Sequence, residues 1–249
     1  TFVMNIYRSI DRNEIQFDFL LTQVSGGDYE EEAKSLGANI YHLPARNRGY
    51  ISYRRSLDSF FHGHNNYIAV HEHVSSLTSI EPLFYAKKYG IPVRILHAHS
   101  SSIQKSLRLH WVHVLLHYLN KPLVHSMATN YLGCSDKALD WMYKYTGIRS
   151  QAIMIKNGIN CDNYVFNENL RNDVRAEFEL CDTCFLIGHV GRFIPLKNQI
   201  FLVDVMQELC KIMPYAKLML VGDGDTKKEV QSYVETKNLS DAVIFTGTR

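Results

Sequence analysis

Residues 188–199, GHVGRFIPLKNQ, join two runs of different period. The preceding FLIGHV (185–190) is a short apolar stretch of the kind that forms a buried strand, and PLKNQIFLVDVMQELCKIM (195–213) carries apolar residues at helical spacing. The pattern predicts a strand, a turn, and a helix beginning near Pro195, a residue suited to a helix's first turn. Arg192 falls on the turn and Lys197 in the first helical turn, where the dipole disfavours cations by roughly 0.3–1 kcal/mol each. Two cations become favourable there if the turn holds an anion. Free N–H groups at a helix start already attract one, Arg adds a bidentate fork and Lys a point charge.

Two more turns of this kind follow. AKLMLVG (216–222) leads into GDGDTKK, and AVIFTG (242–247) leads into GTR. Ligands of open α/β sheets bind at the carboxyl ends of strands, so Gly191, Gly222, Gly224 and Gly247 share one rim and allow close approach to backbone. Upstream, strands are predicted at 15–22, 39–43, 66–71, 93–99 and 128–135, with helical patterns between them. Continuous apolar strands alternating with helices imply βαβ units and doubly wound parallel sheets. The pattern restarts after residue 150, where AIMIKNGIN (152–160) reads as a further strand. The expected domains are therefore 1–150 and 151–249, both Rossmann-like, the second incomplete because it ends on a strand with no covering helix.

Composition narrows the class. Of 249 residues, 46% are hydrophobic and 21% charged, which is ordinary for a globular protein with a substantial core. The net charge of +2 is too small to argue for a nucleic-acid partner, no arginine-rich or RRM-like segment occurs, and no run approaches the length of a membrane span. Five irregularly spaced cysteines favour reduced thiols and a cytoplasmic setting. CDTC (181–184) is a lone pair in a polar turn and reads as packing rather than a redox or metal motif.

GRFIPLKN, LMLVGDGD and FTGTR together resemble the donor-binding domain of family 4 glycosyltransferases of the GT-B fold, and IKNGIN is similar to that family's entry to the same domain. The likeness extends to TFVMNIYRSIDRNEIQFDFLLT and RILHAHSS, which resemble the first domain of bacterial capsular and exopolysaccharide enzymes. It implies a nucleotide-diphosphate sugar donor, with uridine as base, retention of anomeric configuration, and no metal or other cofactor. Arg192 and Lys197 match the family positions that hold the diphosphate and stabilise it as it leaves, consistent with cations preorganised toward developing charge. Donor contact falls to Gly191, Arg192, Lys197, Asn198, Gly222, Asp223, Gly224 and Arg249. His99, beside Ser100, matches the acceptor-side position nearest the reacting sugar.

The family's glycine-rich first loop would precede Thr1, and its paired glutamates would follow Arg249. The 249-residue polypeptide is therefore expected to be truncated at both ends and to lack turnover. A nucleotide-sugar 2-epimerase of the same two-domain plan, or a nucleotide-binding relic without catalysis, are the alternatives.

Ten of the twelve histidines lie between residues 62 and 125, with three pairs spaced two apart: His62/His64, His71/His73 and His97/His99. That spacing puts both rings of a pair on one face of a strand. Carboxylates that would support metal-ligating histidines are sparse, so no metal is assigned, and His71 and His99 are read as rim residues at strand ends. RNRGYISYRR (46–55) and KSLRLHWVHVLLHYLNK (105–121) combine basic and aromatic residues. They read first as a loop entering a helix and as an amphipathic helix packed on the sheet. The second reading is contact with an anionic membrane surface at the inner face of the cell membrane, fitting an acceptor sugar carried on a polyprenyl diphosphate.

Overall fold

The computed structural model of the chain describes residues 2–22, 27–103 and 109–249. It consists of two compact units, Thr1–Asn163 and Tyr164–Arg249. In the first, β1 (Phe19–Leu21) pairs with β2 (Ile40–His42), and β3 (Ala69–Val74), β4 (Val93–Ala98), β5 (Asn130–Gly133) and β6 (Ile153–Met154) form a sheet in that order. In the second, β7 (Phe185–Val190), β8 (Ala216–Val221) and β9 (Val243–Gly247) form a three-stranded sheet. Every pairing is parallel, as the alternating pattern predicts.

The helices meet the sheets through apolar stripes. In the helix Tyr50–Gly63, Tyr53, Leu57 and Phe61 recur at four-residue spacing and are buried with Leu43, Tyr85 and Ile91. The helix Asp136–Tyr143 begins on Ser135, whose hydroxyl accepts from the Ala138 N–H at 3.2 Å. It ends on Tyr143, whose hydroxyl donates to the carbonyls of Leu96 at 2.6 Å and Leu132 at 3.0 Å, tying the helix to β4 and β5. In the second unit Phe193, Val203, Met206, Leu218, Leu220, Val230 and Val234 form one core.

Three expectations change. Ile153 and Met154 pair with Leu132 and Gly133, so this strand closes the first sheet and the units divide after Asn163 rather than near residue 150. The strand predicted at 66–71 runs from Ala69 to Val74, so His71 sits within it rather than at its end. The helix read over 105–121 is described from His110 to Asn120, with Lys105 and Arg108 outside the described residues. Its buried contact is a polar ring instead of an apolar stripe. His117 lies flat on Trp141, with ring centroids 4.0 Å apart, while Trp111, Leu115, Tyr118 and Leu119 are exposed.

The other basic stretch is built into the first unit. Arg46 pairs with Glu81 at 3.1 Å and lies over Tyr50, and Arg54 donates to the Tyr85 hydroxyl at 3.2 Å.

His117 gives the first unit a defined acid sensitivity. Its Nδ1 accepts the buried Leu77 N–H at 3.1 Å, which requires an unprotonated nitrogen. Burial, with the nearby Lys121 ammonium, holds its pKa down from 6.5 to about 4. Because the folded value lies below the unfolded one, this contribution is intact above pH 6.5. It is lost as pH falls toward 4, by roughly 3 kcal/mol in all. Urea unfolding at pH 7, 5 and 4 should show a smaller acid loss in His117→Gln, which keeps an acceptor but does not titrate. Parallel losses in both proteins would remove His117 from the account.

Candidate functional site

The three glycine-bearing turns of the second unit are knitted together through backbone. Gly191 N–H donates to Val221 O at 2.9 Å, Phe193 N–H to Asp223 O at 2.9 Å, Thr226 N–H to Phe193 O at 3.2 Å, and Gly222 N–H to Gly247 O at 2.8 Å. Gly222 and Gly224 have φ of +135° and +150°, and a Cβ on either would fall on backbone: on the Gly191 carbonyl in the first case, on Phe193 in the second. These two glycines are required for loop to approach loop, a role the sequence reading gave to ligand approach. Phe193 is fully buried in the core, and the side chain of buried Gln199 donates to the Arg192 carbonyl at 3.1 Å. The backbone carrying Arg192 is thus fixed on both sides.

The turn after β7 differs from its expected form. Pro195–Lys197 is a separate 3-10 turn, and the long helix starts only at Gln199 and runs to Ile212. Between them Asn198 takes the left-handed conformation, φ 48° and ψ 48°, which Asn tolerates better than other residues with a Cβ. Lys197 therefore precedes the helix instead of occupying its first turn, and the dipole cost assigned to it is smaller. No side chain caps this helix start.

Arg192 and Lys197 are both exposed, and neither side chain has an ion-pair or hydrogen-bond partner among the described residues. The other charged candidates are engaged. Asp223 accepts from Gly224 N–H and from Lys227 Nζ, each at 2.7 Å, and Lys227 holds its carboxyl below the usual carboxylate range. Asp223 and Asp225 make an Asp-x-Asp sequence, a pattern able to chelate a divalent cation, which the sequence reading missed. In the structure Asp223 organises the loop and the start of the helix Lys227–Thr236. Arg249 is held by Glu177 and lies over the Phe178 ring, 5.0 Å from its centroid. Of the cations expected at the donor site, Arg192 and Lys197 are the pair left unneutralised.

CDTC is a turn closed by Cys184 N–H on Cys181 O at 3.0 Å, and the buried Arg175 donates to both cysteine carbonyls. The two thiols are free.

In the first unit, His99 follows β4 directly, with its N–H on Val74 O at 2.9 Å. Its Nε2 lies 2.8 Å from His73 Nδ1, its ring stacks on His97 at 4.2 Å, and burial lowers its pKa. Ser100 turns its hydroxyl onto the Ser102 carbonyl at 3.0 Å.

Residues 171–249 match the family model for glycosyl transferases group 1. This segment is similar to the group 1 glycosyl transferases. The whole chain is similar to the EpsF protein of Bacillus subtilis (strain 168), named as a glycosyltransferase, with 28% identity over 250 residues covering 100% of this chain and 64% of EpsF. Among solved structures it resembles Anabaena HepE in complex with UDP and glucose, with a TM-score of 0.73 and 16% identity over 93% of this chain and 61% of HepE. It also resembles WaaG, a glycosyltransferase involved in lipopolysaccharide biosynthesis, with a TM-score of 0.62 and 12% identity over 100% of this chain and 66% of WaaG. The fold class is GT-B, as expected from the sequence. The chain spans less than two thirds of the length of EpsF and of HepE.

Proposed function

We propose that the protein transfers a sugar from a nucleoside-diphosphate sugar, uridine-linked, to a surface polysaccharide or lipid-linked saccharide. Configuration is retained, and the donor diphosphate is held without a metal ion. The observation that carries this reading is the pair of exposed, unpartnered cations, Arg192 and Lys197, on a backbone loop locked to its two neighbours. Two permanent charges beside an uncapped helix start suit an anion with two phosphoryl groups. As the sugar leaves, charge grows on the terminal phosphoryl oxygens, and preorganised cations stabilise that charge more than the intact donor. Gly191 and Gly222–Gly224 supply the loop frame, with Asn198, Asp223 and Arg249 around it. His99 contacts the sugar or its acceptor. UDP in the HepE complexes supports the choice of nucleotide.

Thermal unfolding with UDP, GDP, ADP and UDP-sugars tests the donor assignment. A ligand at one hundred times its Kd stabilises by about 2.7 kcal/mol. UDP and a UDP-sugar should raise the melting temperature above the other nucleotides, and an unmoved transition with every nucleotide would sink the assignment.

Contact with the inner face of the cell membrane has one specific support: the exposed apolar face of Trp111, Leu115, Tyr118 and Leu119 on the helix His110–Asn120. No helix among the described residues is long and apolar enough to cross a membrane. Trp111→Ser with Leu115→Ser should reduce sedimentation with anionic vesicles while leaving UDP binding unchanged. Undiminished sedimentation would exclude this helix.

A further inference from the structure

The register of β3 on β4 places His73 opposite His97, and alternation then puts His71, His73, His97 and His99 on one face of the sheet. Sequence spacing shows each pair but not their meeting. His71 Nε2 lies 3.2 Å from His97 Nδ1, and one ligand nitrogen from each of His71, His73 and His97 falls within 4.8 Å of the others. With metal–nitrogen bonds of about 2.0–2.1 Å, neighbouring nitrogens of a tetrahedral shell stand about 3.4 Å apart, close to the His71–His97 spacing. We propose that His71, His73 and His97 form a binding site for a divalent transition metal ion of the zinc class.

Three further observations support it. His97 is wholly buried, and its Nδ1 faces His71. His73 Nδ1 contacts His99 Nε2 at 2.8 Å, the kind of imidazole-orienting contact that fixes which nitrogen of a ligating histidine faces the metal. The Phe2 ring packs against His73, His97 and His99, with centroids 5.0–5.9 Å away, and covers one side, while His71 is exposed and leaves an entry. Glu72 alternates to the opposite face, so the ligand set is all imidazole, which favours zinc, nickel or copper over magnesium or calcium. The site lies in the first unit.

The test is titration of the 249-residue chain with Zn2+ against a chelating indicator, and with Co2+ followed by visible absorption, using Mg2+ as control. One zinc per chain, a tetrahedral cobalt spectrum and no magnesium binding are expected. His71→Ala, at an exposed position, should keep the fold by circular dichroism and weaken zinc binding tenfold or more, and adding His73→Ala should abolish it. Cys181→Ser and His113→Ala should change nothing. Unchanged affinity in the His71/His73 variant, loss of binding in Cys181→Ser, or no preference for zinc over magnesium would each overturn the proposal.

Discussion

Replacing Arg192 and Lys197 together by alanine is expected to weaken UDP binding about a hundredfold or more while leaving the free chain as stable as before. Hydrogen bonds to charged groups contribute about 1.5–3 kcal/mol each, so even the lower figure for two cations gives about 3 kcal/mol. That is roughly two decades in Kd. The free chain does not depend on them. Both side chains are exposed and unpartnered among the described residues, and surface substitutions of that kind change stability by about 0.5 kcal/mol at most. Calorimetric titration and urea unfolding on the same preparations separate the two effects. Equal losses of affinity and stability would mean that the cations hold the loop together.

Gly224→Ala is expected to do the reverse and unfold the loop frame. At φ +150° a side chain is strained in any case, and the new Cβ would meet the carbonyl, carbonyl carbon and nitrogen of Phe193. Relieving that overlap means separating the loops. The bonds from Phe193 N–H to Asp223 O and from Thr226 N–H to Phe193 O would break, and a fully buried phenylalanine would shift. Backbone strain and lost packing together place the cost at about 3 kcal/mol or more. Gly188→Ala is the control, since a Cβ there meets nothing within 4 Å and the residue has no positive φ. Unfolding curves of the two variants should differ widely. A Gly224→Ala protein as stable as Gly188→Ala would contradict the interlocked turns.

Much of this fold was legible because its strands are apolar runs bounded by glycine and polar turns, and its helices carry stripes such as Tyr53, Leu57 and Phe61. Boundaries were less so. Ile153 and Met154 have the composition of a strand in either unit, and only pairing with Leu132 and Gly133 assigns them to the first. Around the candidate donor site, the order of glycines and cations was readable, but the work done by each was not. Gly222 and Gly224 answer to neighbouring loops that are distant in sequence, and Asn198 breaks the helix that periodicity extends back to Pro195. The histidines show the same limit. Two pairs spaced two apart become one cluster only through the register of β3 on β4, which no local pattern encodes.

The central claim is that Arg192 and Lys197 hold a diphosphate, and the ratio of UMP to UDP dissociation constants tests it most directly. On this account, the second phosphoryl group adds a charge for those two cations to meet. In the native chain the ratio should be tenfold or more, and in the Arg192→Ala, Lys197→Ala variant it should fall to near one, because both ligands then keep only the contacts they share. A ratio that stays the same in the variant would show that the diphosphate is held elsewhere.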